Sequence, residues 1–278
     1  MNNLTVTIIQ TDLYWEDKKA NLEMLQQKIE SINETTEVVI LPEMFSTGFS
    51  MKPKILAEKM DGATVNWMKK ISSDKKIILT GSIIIEDPAV ANDGDKKYFN
   101  RLVWMLPNGK YGIYDKRHLF AYGDEHTHFS AGGKRLIASV KGWRINLQVC
   151  YDLRFPVWAR QSASNQKKES GQGDEPEYDL LIYVANWPDK RGHAWKTLLQ
   201  ARAIENQCYV IGVNRIGEDG NGIKYSGDSM IVDPVGEIIY QKTNDAAIFT
   251  YTLEKEKLNE VREKFPFMKD SDSFIINS

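Results

Sequence analysis

The chain has 278 residues, 42% hydrophobic and 27% charged, enough for one large domain or two small ones. Thirty-six Lys plus Arg stand against 38 Asp plus Glu, a net charge of -2. That excludes the strongly basic face that attracts a phosphate backbone, so no nucleic-acid partner is expected. Two cysteines, Cys150 and Cys208, give no disulfide framework.

The N-terminus lacks the charged start and sustained apolar core of a signal peptide, and every apolar run falls short of the roughly 20 residues of a membrane helix. A soluble, cytoplasmic protein with no membrane partner is expected. Residues 4–9 (LTVTII) read as a strand. Over 18–32, Leu22, Leu25, Ile29 and Ile32 recur at spacings of three and four, one face of a helix. Residues 38–41 form a continuous apolar strand that needs cover on both faces. A helical pattern at 61–71 leads into a strand at 77–85. Residues 101–106, the turn PNGK and residues 111–114 read as a hairpin, and 136–140 with 144–149 as another through Gly142.

In the second half, 180–184 is a strand and 192–206 a helix that buries Trp195, Leu198 and Leu199. Strands follow at 208–213, 229–232 and 237–240, and 253–264 is a closing helix. Interleaved strands and helices with hairpins in both halves predict an α/β architecture with mixed sheets covered by helices, a two-sheet sandwich in preference to a barrel. No repeat or linker divides the chain, so a single domain is expected over 1–278, with a C-terminal tail from about residue 253. The polar stretch QSASNQKKESGQGDEPE at 161–177 reads as a surface loop.

Cys150 ends the strand in LQVCYDLRFP, and Pro156 suits the first turn of a following helix, whose start favours a thiolate. This is a strand–turn–helix setting for a nucleophile, against the plain alternative of a buried, inert thiol. Cys208, at the entry to a strand, has only the inert reading. Glu43 closes the apolar run VVILPEMF where a parallel strand leaves the core, a costly place for a carboxylate without a partner or a role. Lys116 follows a hairpin strand in YDKRHLF. A glutamate base, a fixed cation and a thiol suffice for acyl transfer, although the four histidines leave a Cys–His pair open by count.

VVILPEMF, YDKRHLF and LQVCYDLRFP, in this order, resemble the three signatures of the nitrilase superfamily of carbon–nitrogen hydrolases, and the likeness continues through YVANWP, ARAIENQCYVIGVNR and GDSMIVDPVGE. Within it the chain is most similar to the bacterial omega-amidases, which hydrolyse the terminal amide of 2-oxoglutaramate and related omega-monoamides. The resemblance implies a four-layer α-β-β-α sandwich that pairs as a homodimer, no cofactor, and an amide substrate attacked to form a thioester. It implies Glu43 as base, Cys150 as nucleophile, and Lys116 with the N–H of Tyr151 as oxyanion donors. Glu125 would buttress the lysine. The alternatives on the same three residues are nitrile or N-carbamoyl amino acid hydrolysis, or a catalytically silent binding module.

Other candidates stay double-edged. DEHTH (124–128) would place His126 and His128 on one face of an extended segment as a metal site, or form a polar loop at the entrance; no metal is expected. Phe129 would wall the pocket. Arg154 would hold a substrate carboxylate or pair internally with Asp152, and Arg191 is a second candidate cation. Asn186 and Trp187 end a strand and would line the pocket.

Overall fold

A computed structural model describes residues 2–87, 97–161, 176–272 and 274–276. In chain order its strands begin with β1 (Leu4–Gln10), β2 (Val38–Ile40), β3 (Ile78–Asp87), β4 (Lys97–Met105), β5 (Tyr111–Asp115) and β6 (Leu136–Val140). They continue with β7 (Trp143–Val149), β8 (Leu180–Ala185), β9 (Tyr209–Asn214), β10 (Ile216–Glu218), β11 (Lys224–Val232), β12 (Ile238–Thr243) and β13 (Ala247–Leu253). One sheet runs β13-β1-β2-β3-β4-β5; the other runs β10-β11-β9-β8-β7-β6, with β12 paired to β11.

Each sheet has a parallel centre, β1-β2-β3 in one and β7-β8-β9 in the other, flanked by antiparallel strands. Parallel strands need cover on both faces, and the sequence supplies it. In the first sheet Val6, Ile8, Val38, Ile40 and Leu102 point to the core between the sheets. Ile9, Val39, Leu41, Leu79 and Val103 point outward, against Leu25 and Ile29 of the helix Lys18–Glu30 and Val65, Met68 and Ile71 of the helix Ala63–Lys75. The helix Gly192–Asn206 covers the second sheet with Trp195 and Leu199, whereas Leu198, expected in the core, is only half-buried. The result is the expected α-β-β-α sandwich.

Two strands lie outside those expected. β13 pairs antiparallel with β1 over its whole length, from Leu4 opposite Leu253 to Gln10 opposite Ala247. It is an edge strand whose Phe249, Tyr251 and Leu253 alternate with Thr250 and Thr252 and turn to the core between the sheets. The closing helix is correspondingly shorter, Lys255–Lys264, and Leu258 is buried in the central core. β10 has three residues. The loop read at 161–177 lies, for residues 162–175, outside the described residues.

Candidate active site

Both parallel centres send their C-terminal ends to one side, the usual place for a ligand in sheets of this kind. Glu43 follows β2, Cys150 follows β7, and Asn186 follows β8. Lys116 follows β5, its N–H extending that strand's ladder to the carbonyl of Asn100 on β4 at 3.0 Å. Four groups separated by up to 143 positions thereby meet in one buried cluster.

Lys116 Nζ donates to Oε1 of Glu43 at 2.9 Å and to both carboxylate oxygens of Glu125 at 3.0 and 2.8 Å. All three side chains have zero exposure. Burial alone would lower the lysine's pKa, but the carboxylates of Glu125 and Glu43 hold it above its ordinary value, so the ammonium keeps its charge. Burial and the charge of Glu43 push Glu125 up, against the pull of Lys116. Glu43 Oε1 also accepts from Asn100 Nδ2 at 2.7 Å, and Oε2 accepts the backbone N–H of Asn186 at 2.8 Å. The Asn186 side chain donates to the Glu43 carbonyl at 2.6 Å, fixing the loop after β2 to the end of β8.

Cys150 adopts φ +46°, a left-handed conformation that side chains rarely take, at the start of a tight turn spanning Cys150–Arg154. Pro156 opens a short helix, Pro156–Ala159, as the sequence suggested. Asp152 clamps the turn. Its Oδ2 accepts the Val149 N–H at 3.1 Å and the Tyr114 hydroxyl at 2.7 Å; its Oδ1 accepts the His118 N–H at 2.9 Å.

Groups brought from elsewhere in the chain outweigh the helix start at the thiol. Burial and the charge of Glu43 raise the Cys150 thiol well above its ordinary value, outweighing Lys116, and the sulfur donates to the Asn186 carbonyl at 3.9 Å. The thiol is therefore protonated at rest and faces a carboxylate able to take its proton. Cys208 is also raised by burial and lies in the core, as its inert reading required.

A cavity of about 650 Å³ opens over the cluster, and Lys116, Cys150, Tyr151, Arg154, Asn186, Trp187 and Arg191 all line it. Arg154 does not pair with Asp152, whose oxygens are already taken; its guanidinium lies 4.9 Å over the Trp187 ring. Arg191 lies 5.0 Å over Phe120, and its carbonyl accepts the Trp187 indole N–H at 2.8 Å. Neither guanidinium has an ion pair among the described residues.

Phe129 is a correction. It is buried with Met44, Leu56 and Ile84 instead of lining the cavity. The extended segment expected at DEHTH is a short helix, Glu125–His128, which turns Glu125 inward and leaves His126 and His128 exposed. Among the described residues no group of three or more His, Cys, Asp or Glu is placed to hold a metal, and no helix is long and apolar enough to cross a membrane.

Sequence reasoning missed Asn100 and Tyr225. Asn100 lies mid-strand in YFNRL without a surrounding motif. Tyr225 lines the cavity with its hydroxyl on Asp219 at 2.8 Å, in a segment that reads simply as β-forming.

A helix-covered double sheet with thiol, carboxylate and ammonium gathered at its strand ends defines a nitrilase-like hydrolase. The carbon–nitrogen hydrolase family model matches residues 5–263, and the chain belongs to that family. It is 41% identical over 275 residues to omega-amidase YafV of Escherichia coli strain K12, covering 99% of each chain. It is 30% identical over 269 residues to a 2-oxoglutaramate amidase of Bacillus subtilis, covering 96% of each. In structure it matches a CN-hydrolase superfamily protein of Xanthomonas campestris, which carries an arsenic adduct in its active site, with TM-score 0.93, 40% identity and full coverage of both chains.

Proposed function

We propose that the protein hydrolyses the terminal amide of small omega-amides such as 2-oxoglutaramate, through a Cys150 thioester, releasing ammonia and a dicarboxylate. One observation carries the reading: the Cys150 thiol and the Lys116 ammonium line the same cavity, and the charge of Glu43, whose Oε1 is bonded to that ammonium, acts on the thiol. The similarity to omega-amidases over nearly the whole chain supports the substrate class.

As sulfur attacks the amide carbon, its proton passes to Glu43. The tetrahedral oxyanion is held by Lys116 Nζ and by the N–H of Tyr151, in the first turn after β7 where backbone donors lack helical acceptors. The C–N bond then breaks, and Glu43 returns the proton to the departing nitrogen as ammonia. A water gives its proton to Glu43 and attacks the thioester; the C–S bond breaks, and Glu43 reprotonates the sulfur. Glu125 keeps the lysine charged and aimed.

Arg154 is the group we assign to the substrate's distal carboxylate. Its face is covered by Trp187, which leaves the N–H edge for bidentate pairing. Trp187 and Asn186 form the adjoining wall. The chain is further proposed to work as a cytoplasmic homodimer, tested by sedimentation equilibrium at twice the 31.8 kDa of one chain.

The test is ammonia release from 2-oxoglutaramate, succinamate, a carbamoyl amino acid and a nitrile. Omega-amides should be preferred, and Cys150→Ala should abolish turnover in a folded protein. Preference for the nitrile would overturn the substrate reading, and full turnover in Cys150→Ala would overturn the nucleophile.

A further inference from the structure

Asn100 is fully buried on β4 between the two carboxylates of the site. Its Nδ2 donates to Oε1 of Glu43 at 2.7 Å and to Oε1 of Glu125 at 3.2 Å, so one amide nitrogen serves both. Two facing acceptors dictate this orientation of the amide, since the reverse would set its carbonyl against two carboxylates. The opposite end shows what the arrangement costs. Asn100 Oδ1 is buried without a hydrogen-bond partner, an unfavourable state for an acceptor.

The oxygens of Glu43 are thereby made unequal. Oε1 accepts two donors, Asn100 Nδ2 and Lys116 Nζ, while Oε2 accepts only the Asn186 N–H. An oxygen already receiving two hydrogen bonds is a poor place for a third proton.

We propose that Asn100 is a positioning residue that keeps Oε1 of Glu43 a permanent acceptor and so directs the proton of Cys150 to Oε2. This rests on the reading of Glu43 as the base. Asn100 acts through Glu43 and needs no contact with substrate. Its second bond, to Glu125, ties the lysine's other partner to the same amide, so base and oxyanion donor are set by one side chain. The charged and titratable groups facing Glu43 are Lys116, Glu125 and Cys150, with Tyr225 beyond the thiol. Asn100 contributes to this set a donor that never titrates.

Withdrawing such a donor favours the protonated carboxyl. In Asn100→Leu the acid limb of kcat/KM should move to higher pH by about one to two units, the usual worth of a hydrogen bond to a charged group. Alkylation of Cys150 by iodoacetamide, which needs the same carboxylate but no amide substrate, should show the same displacement. Asn100→Asp keeps the shape and decides the matter if the leucine variant fails to give a cooperative melt. Neutral, it offers one O–H in place of an amide that serves both carboxylates; ionised, it adds a negative charge. In either form the limb moves upward. A folded variant whose alkylation limb coincides with that of the unaltered protein would overturn the proposal, even if turnover fell. Absence of amide hydrolysis by the unaltered protein would instead defeat the functional reading, and the alkylation profile would still report on Asn100.

Discussion

Asp152 accepts the backbone N–H of Val149 at 3.1 Å, so a carboxylate two residues after the nucleophile fastens the strand residue just before it. The left-handed Cys150 is thus held between two fixed points. The same carboxylate takes the hydroxyl of Tyr114 and the N–H of His118, joining the turn to the segment that carries Lys116. Nucleophile and oxyanion donor share one buried anchor.

Asp152→Ala should therefore damage both fold and rate. It takes the acceptor from the N–H groups of Val149 and His118 and from the Tyr114 hydroxyl, and removes the 2.8 Å contact of the His118 ring Nδ1; each buried group left unpaired costs about 1–3 kcal/mol. Chemical denaturation should show a loss of at least about 3 kcal/mol. A displacement of about 1 Å at the sulfur is worth about a hundredfold in rate, so kcat should fall on that scale. Asp152→Asn keeps one acceptor oxygen and should lie between the two.

Lys116→Met tests the charge balance. Removing the ammonium leaves Glu43 and Glu125 facing one another in the interior, and a broken buried pair costs about 3–5 kcal/mol. Loss of an oxyanion donor should reduce kcat by about 10²–10³. Glu125 already sits above its ordinary value of 4.5, and loss of the cation raises it further. A raised folded-state pKa gives stability that is present below the unfolded value and lost as pH rises through the folded one. The deficit of Lys116→Met should thus shrink on acidification from pH 7 towards 4.5, which melting curves at several pH values would check. An unchanged deficit would contradict the charge argument.

How much of this site could be read from the chain depends on where each residue keeps its partners. Glu43 and Cys150 stand out because each puts a reactive group at the end of an apolar run, a local contradiction visible without coordinates. Lys116 was legible from its place after a hairpin and from the motif around it. Asn100 and Phe129 were not, because their environments are made by distant segments: Asn100 is defined by residues 57 positions before and 25 after it. Phe129 looked like a pocket wall from its neighbours in sequence, yet it is claimed by Met44 and Ile84. The thiol's surroundings were only partly legible for a related reason. A helix start was visible in Pro156, whereas the burial and the facing Glu43 that outweigh it exist only in the folded chain. β13, which closes the edge of the first sheet, was legible in principle, since Phe249, Tyr251 and Leu253 alternate with two threonines.

Arg154→Gln should separate recognition from chemistry. Charge-assisted hydrogen bonds are worth about 1.5–3 kcal/mol, so KM for 2-oxoglutaramate should rise about ten- to a hundredfold with kcat changed much less. A neutral amide of similar length should be processed almost as before. Arg154→Lys restores charge but not the planar fork stacked on Trp187, and should recover only part of the loss. Equal effects on charged and neutral amides would show that Arg154 braces the turn and does not read the substrate.

The two buried thiols make stability fall at alkaline pH. Cys150 is raised by burial and by Glu43, Cys208 chiefly by burial, both from an ordinary value of 9.0. Below that value both are protonated in the folded and unfolded chains, and neither contributes a pH dependence. Above it the unfolded chain loses these protons while the folded chain keeps them, so each thiol favours unfolding by about 1.4 kcal/mol per pH unit. Buried tyrosines such as Tyr114 and Tyr178 add to the trend above their ordinary value of 10.0. Between those two values the cysteines act largely alone. Chemical denaturation at pH 8.5, 9.5 and 10 should therefore show a steepening decline, and Cys150→Ala and Cys208→Ala should each remove a part of it whose slope grows towards about 1.4 kcal/mol per pH unit. A decline undiminished in the double variant between pH 9.0 and 10.0 would mean that both thiols ionise as readily in the folded chain as in the unfolded one.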